Sequence, residues 1–193
     1  MKKILIATRN KDKFKIIEKL LSTQNFTDYK YYSLDDIDES IVDKKERGSV
    51  IERSYQKALN TFNCINSKYD YIVGVDDGIK MKGKMIENVK DYISLIIDDK
   101  FLKEGEVVYI VRAYTFINSD GIYKSVLTEI PFKYTKLKEK INIHENSYPL
   151  SNVLSPIDSL KTIIKLSADE SNTYYLKYSK LAFNEVERFF YDK

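Results

Sequence analysis

Four apolar or small residues, Ile4 to Ala7, follow two lysines and end at the polar break Thr8-Arg9-Asn10, after which Phe14, Ile17, Leu20 and Leu21 recur at helical spacing. A short uninterrupted apolar run reads as a buried strand, and the spaced stripe reads as an amphipathic helix. The chain therefore opens strand, turn, helix, the first half of a βα unit, which commits it to a sheet with helices laid against it. The turn lies where the N–H groups of a helix N-terminus can hold an anion.

The same grammar continues. Tyr29 to Leu34 reads as a second strand, and Asp35 to Arg47, with six acids against three bases, reads as an exposed loop. A helix is expected from Gly48-Ser49, with Ser49 as N-cap, Glu52 completing a capping box, and Ile51, Tyr55, Ala58, Phe62 and Ile65 as its buried stripe. Tyr71 to Val75 reads as a buried strand ending in Asp76-Asp77-Gly78, and Val89 to Ile97 as a helix. Glu106 to Asn118 and Ile122 to Tyr134 read as long strands joined by a turn at Ser119-Asp120-Gly121. A final helix is expected from about Ser171 to Phe190, with Tyr174, Tyr178, Leu181, Ala182, Val186 and Phe189 inward. With no repeat and no Gly-, Pro- or Ser-rich linker, residues 1–193 read as one mixed α/β domain.

Composition limits the chemistry. Hydrophobic residues are 43% and charged residues 32% of the 193, enough for a sizeable core, and a net charge of +3 gives no general nucleic-acid surface. One cysteine, Cys64, excludes an internal disulfide and Cys-rich zinc sites, and one histidine, His144, excludes sites needing two imidazoles. Cys64 reads as core and His144 as surface. No run approaches the roughly 18 apolar residues of a membrane span, and the start is too short for a signal peptide, so a cytoplasmic protein is expected.

Three groups of residues could carry chemistry. Thr8, Arg9, Asn10 and Lys13 supply a hydroxyl, an amide and cations at a strand-to-helix turn, suited to phosphate; the plainer alternative is a polar turn with Asn10 or Asp12 as N-cap. Glu52 and Lys57 share the second helix, where a capping glutamate and a solvated lysine are the ordinary reading. Asp76 and Asp77 are adjacent like charges that a hard cation such as Mg²⁺ would relieve, or else they form part of a tight Asp-Gly turn.

Taken in order, these stretches resemble the inosine triphosphate pyrophosphatase family, over Lys3 to about Arg188. Ile6-Ala7-Thr8-Arg9-Asn10-Lys11-Asp12-Lys13 is similar to its opening Thr-Gly-Asn-x-x-Lys turn, with Arg9 in place of the glycine. Glu46-Arg47-Gly48 through Lys57-Ala58 is similar to its Glu-x-Gly-x-Thr-Phe-x-Glu-Asn-Ala-x-x-Lys-Ala segment, with Arg53 in place of the asparagine. Val75-Asp76-Asp77-Gly78-Ile79 stands for its Ala-Asp-Asp-Ser-Gly-Leu, one residue shorter, so the catalytic role falls on Asp76 or Asp77 according to the anchor chosen. Lys161-Thr162 and Leu166 to Asn172 fit its C-terminal pattern, with Ser171 where a lysine is expected. Ser147 to Leu154 lacks its Gly-Tyr-Asp-Pro, and Tyr175-Leu176-Lys177 stands for its base-reading Ser-His-Arg.

The resemblance implies a mixed twisted sheet flanked by helices, with a long central hairpin, and Mg²⁺-dependent hydrolysis of non-standard purine nucleoside triphosphates to monophosphate and pyrophosphate. Glu52 and Asp76 would hold the metal, Asp76 or Asp77 would activate water, and Thr8, Arg9, Asn10, Lys13, Lys57 and Lys177 would bind substrate. A homodimer is the assembly it implies, with no nucleic-acid or membrane partner. Two alternatives stand beside it. One is an inosine/xanthosine triphosphatase releasing phosphate, since Val73 to Ile79 matches that family's strand without a gap; the other is a non-catalytic nucleotide binder, suggested by the altered C-terminal positions.

Overall fold

The computed structural model describes residues 1–24, 26–37, 41, 45–65, 68–97, 101–136 and 149–191. Among these, strands β1 (Lys2–Ile6), β2 (Tyr29–Ser33), β3 (Tyr71–Met81), β4 (Lys84–Ile86), β5 (Val107–Asn118), β6 (Tyr123–Tyr134) and β7 (Leu154–Pro156) alternate with helices α1 (Lys11–Ser22), α2 (Val50–Ile65), α3 (Ile93–Ile97) and α4 (Ala168–Tyr191). Hydrogen bonding orders the sheet β2-β1-β3-β5-β6-β7, with β4 on β3. The expected mixed sheet with flanking helices and a long β5–β6 hairpin is present. No helix among the described residues is long and apolar enough to cross a membrane.

The chain forms two compact units, Met1–Asp76 with Arg112–Thr128 and Tyr178–Lys193, and Asp77–Val111 with Glu129–Lys177. The division falls inside β3, β5, β6 and α4, so no linker marks it in the composition. In the first unit β1 pairs in parallel with β2 (Ile4↔Tyr31) and with β3 (Leu5↔Ile72), as buried βα strands do. Strand alternation then sorts the side chains. Ile72 and Ile117 join Leu5, Leu34, Ile41, Ala58 and Ile65 in the core beneath α2. On the opposite face Phe26 stacks on Phe116 at 5.5 Å and Phe183 meets Tyr114 edge-on at 5.0 Å.

Helix α2 lies unusually close to β3 because position 74 is glycine. A Cβ there would come within 2.7 Å of the Ala58 amide nitrogen and 2.9 Å of its Cβ. This approach turns the helix: Val50, Ser54, Ala58, Thr61 and Ile65 are its buried line, and Ile51, expected inward, is 40% exposed. Buried Ser54 is satisfied by donating to the Ile51 carbonyl (2.8 Å) and sharing a hydrogen bond with Thr115 (2.8 Å), which in turn meets Ser125 (2.8 Å).

Other expectations are corrected. Asp76-Asp77-Gly78 does not end a strand: β3 runs on to Met81 and turns into the antiparallel partner β4 (Ile79↔Ile86). The acids do lie beyond the last β1 pairing, Ile6↔Val73, at the carboxyl end of the parallel stretch. Residues 89–97 form a 3-10 turn, Val89–Asp91, followed by the short α3 rather than one helix. Leu34–Asp36 is a 3-10 turn capped by Ser33, where Leu34 was expected to end the strand and Asp35 and Asp36 to begin a loop; Asp38, Glu39 and Asp43 of that loop lie outside the described residues. In α4, Tyr175, Ser179 and Phe183 are buried while Leu181 and Phe189 are exposed. Cys64, expected in the core, is exposed. His144 lies outside the described residues.

In the second unit Phe132 packs between Tyr174 (5.2 Å) and Tyr175 (6.0 Å), and the Tyr174 hydroxyl donates to the Pro131 carbonyl. The start of α4 is held by Glu170, which accepts from the Ser167 amide (2.7 Å) and from Lys161 Nζ (2.9 Å). The Ser167 amide first, then Lys161, pulls the Glu170 carboxyl down from 4.5 to about 2. A depressed carboxyl contributes stability that is whole above its unfolded value and is lost as pH falls through the folded one. The thermal midpoint of Glu170→Gln is therefore expected below that of the parent at pH above 4.5, with the difference shrinking toward pH 2. Midpoints measured across that range check it, and a constant difference would contradict it.

Candidate active site

Beyond the carboxyl end of β1 a cavity of about 410 Å³ opens entirely within the first unit. Among the described residues four cationic side chains line it, Arg9, Lys13, Lys45 and Lys57, with one carboxylate, Glu46. Thr8, Asn60 and Thr61 add hydroxyl and amide groups, and Ile41 and Leu34 an apolar wall. Such an excess of positive charge at a βα turn suits a multiply charged anion.

The turn itself is built by its own polar residues. The Asn10 amide donates to Thr8 Oγ1 (3.2 Å), and Asn10 Oδ1 accepts from the Lys13 amide (2.9 Å), making Asn10 the N-cap of α1. This fixes Lys13 in the first turn. Arg9 is steadied by donating through Nη2 to the Ile41 carbonyl at 3.1 Å. Thr8, Arg9 and Lys13 thus face the cavity while Asn10 shapes it. Replacing Asn10 by alanine is expected to lower stability by about 1 kcal/mol, the usual worth of an N-cap, and chemical denaturation measures it.

The opposite wall comes from α2. Gly48, at φ +93, leads into the helix, and a Cβ there would run into the Glu52 carboxylate. Glu52 Oε2 accepts from the Ser49 amide (2.8 Å) and hydroxyl (2.9 Å), while the Glu52 amide donates back to Ser49 Oγ (3.3 Å), completing the expected capping box. These Ser49 bonds hold the exposed Glu52 carboxyl below its ordinary range. Gln56 clamps the preceding segment, accepting from the Arg47 amide (3.1 Å) and donating to its carbonyl (2.9 Å).

Asp76 is buried, and both its oxygens are taken. Oδ2 accepts from Arg53 Nε at 2.5 Å and Oδ1 from Lys57 Nζ at 2.5 Å. Lys57 also reaches the Val75 carbonyl (3.4 Å), and Arg53 Nη1 donates to the Gly48 carbonyl (2.8 Å). Residues 53 and 57 are one helical turn apart, so both reach the same strand residue. Alternation along β3 sends Asp77 to the other face, and Asp77 belongs to the second unit. Lys177 is also in the second unit, where its Nζ lies 3.6 Å from Asp158, and Tyr175, at the position expected to read the base, is packed against Phe132.

The sequence did not single out Lys45, Arg53, Asn60 or Thr61. Arg53 lies four residues before Lys57, with Asn60 and Thr61 three and four after it, so helical spacing from Lys57 was the signal that could have found the last two and Arg53. The pairing of Asp76 with Arg53 spans 23 residues and had no such signal.

The Mg²⁺ set implied by the resemblance was Glu52 with Asp76. Magnesium is held by one or two free carboxylates together with substrate phosphates. Here Glu52 Oε2 serves as a cap, and each Asp76 oxygen accepts from a cationic side chain, Arg53 or Lys57. Among the described residues no three His, Cys, Asp or Glu side chains are grouped to hold a metal. As the side chains lie, the donor set does not fit the ion.

No protein-family model matches the sequence, and no curated protein matches it. Solved structures do. The Ham1 protein of Staphylococcus aureus is similar with a TM-score of 0.64 and 16% identity, over 98% of both chains. A HAM1 protein from Coxiella burnetii gives 0.62 and 13%, over 96% of this chain and 98% of its own. A nucleoside-triphosphatase, described as a dITP/XTP pyrophosphatase, from Mycobacterium abscessus gives 0.59 and 16%, over 93% and 96%. At these identities the likeness shows a shared fold.

Proposed function

We propose that this chain hydrolyses nucleoside triphosphates, of the non-standard purine class, to the monophosphate and pyrophosphate. The observation that carries the reading is the cluster of Arg9, Lys13, Lys45 and Lys57 around a cavity at the carboxyl end of the parallel strands, with Asp76 tied to that cavity through Lys57. Ligands of α/β sheets collect at this edge. The likeness in fold to the dITP/XTP pyrophosphatase of Mycobacterium abscessus supports the substrate class.

In this reading the cations of the cavity draw charge from the phosphate oxygens and hold the chain of phosphates in line, which is most of what phosphoryl chemistry asks of a protein. Thr8 offers a hydroxyl donor on one wall, and Thr61 a hydroxyl and Asn60 an amide on the other. Water at the Lys57 edge would pass its proton to the remaining lone pair of Asp76 Oδ1, with Lys57 Nζ yielding its own bond there, as it attacks the α-phosphorus, and pyrophosphate would leave. Of the two adjacent acids we assign the role to Asp76, because it shares α2's side of the strand with Lys57. Lys177 is given no part in phosphate binding, since it pairs in the second unit. Magnesium is the cofactor implied by the resemblance, but the occupied donor set leaves no step to route through it. The homodimer implied with it plays no part in this chemistry.

The test is a nucleotide panel, including inosine, xanthosine and the standard triphosphates, with pyrophosphate and phosphate read separately. Pyrophosphate release from the inosine or xanthosine substrate is expected. Phosphate as the sole product would favour the triphosphatase reading, and binding with no product over hours would favour a non-catalytic nucleotide binder.

A further inference from the structure

We infer that Arg53 stands in for a divalent cation at Asp76, so that the cavity takes up polyphosphate without metal. The inference rests on the reading of the cavity as a triphosphate site. A hard cation needs carboxylate oxygens that are free to face it. Both oxygens of Asp76 already face nitrogen, Arg53 Nε and Lys57 Nζ, each at 2.5 Å.

Arg53 is held in place from a second direction, because its Nη1 donates to the Gly48 carbonyl at 2.8 Å. Its side chain is only 14% exposed and that of Asp76 12%, so the pair is shielded from water. A guanidinium does not lose its proton in proteins, which makes this positive charge permanent. A divalent ion brought to Asp76 would meet two fixed positive groups within a few ångströms and would have to displace one of them. Arg53 fills the place from which such an ion would neutralise the carboxylate.

The described lining of the cavity is also predominantly cationic. Among the described residues Arg9, Lys13, Lys45 and Lys57 line it with one carboxylate, Glu46, and Lys57 shares its charge with Asp76. The resembled family carries a neutral asparagine where this chain has Arg53, and a glycine where it has Arg9. Both changes add positive charge to the first unit, Arg9 in the lining of the cavity and Arg53 on Asp76, the carboxylate that also holds the lining residue Lys57.

The experiment uses the whole chain and inorganic tripolyphosphate, titrated calorimetrically in chelator and again in magnesium, with Mn²⁺ binding followed by its electron-spin resonance signal in the absence of phosphate. The parent protein is expected to bind tripolyphosphate in chelator at least as tightly as in magnesium, and to bind no Mn²⁺. In Arg53→Asn one oxygen of Asp76 is released and its negative charge is no longer offset: tripolyphosphate affinity in chelator is expected to fall about tenfold, and bound Mn²⁺ to appear. Arg53→Gln repeats the measurement in a longer neutral side chain should the asparagine variant not fold. Parent binding that needs magnesium, or Mn²⁺ held by the parent, would overturn the inference while leaving the triphosphate reading intact. Absence of tripolyphosphate binding in both buffers would overturn the triphosphate reading, and this inference with it.

Discussion

Asp76→Ala is expected to lose turnover by about 10²–10⁴-fold, the range for removing a general base, and to be the most damaging single change in the site. It should also lose stability. Two cations that now share one buried carboxylate, with side chains 14% and 24% exposed, would be left facing each other. Stripping the partner from a buried pair costs about 3 kcal/mol at the lower end of the usual range, which suits groups that keep some contact with water. For a chain of this size that corresponds to a fall in thermal midpoint of about 6–12 °C. Asp76→Asn separates the two effects, since the amide keeps the shape and can still accept from one cation. It should recover part of the stability and little of the turnover. Asp77→Asn is the comparison. Full turnover in Asp76→Asn together with loss in Asp77→Asn would reverse the assignment.

Gly74→Val is expected to be nearly as severe, for a reason that has nothing to do with charge. The added Cβ would stand 2.7 Å from the Ala58 amide nitrogen, a backbone atom that cannot swing aside. Overpacking ordinarily costs about 1–3 kcal/mol, and a clash with helix backbone belongs at the top of that range. Relief requires α2 to move off β3, which would pull Arg53 and Lys57 from Asp76 and break the Ser54–Thr115 hydrogen bond. The expected outcome is a midpoint lowered by about 6–12 °C, with turnover lost in the fraction that remains folded. Gly74→Ala should show the same sign with a smaller shift. A valine variant of unchanged midpoint would mean that α2 does not depend on this contact.

The parts of the fold that sequence could report were those written in short-range spacing. The β1 turn with its Asn10 cap, the Ser49–Glu52 capping box and the β5–β6 hairpin each depend on residues a few positions apart, and each is present. Where distant contacts decide, the sequence misled. Ile51 looked inward by period alone, but the missing side chain at Gly74, 23 positions later, rotates the helix. Asp76-Asp77-Gly78 reads as a strand end, either a cation-binding pair or a tight turn, yet Arg53 and Lys57 cover Asp76 and β4 pairs the strand onward from Ile79. The same blindness applied at the site: Lys57 was recognisable, while its partnership with Arg53 over one carboxylate was not.

Helix α2 places Arg53, Lys57, Asn60 and Thr61 along a single rigid rod whose angular position is fixed by one glycine in the neighbouring strand. Each residue advances such a rod by roughly 100°. Deleting or inserting one residue between Ser49 and Lys57 would therefore not shift these groups slightly but would swing those on one side of the change away from Asp76 altogether. Substitutions can accumulate along this helix one at a time, whereas changes in its length cannot, and the spacing from the capping Ser49 to Thr61 acts as a fixed gauge for any chain that keeps the site.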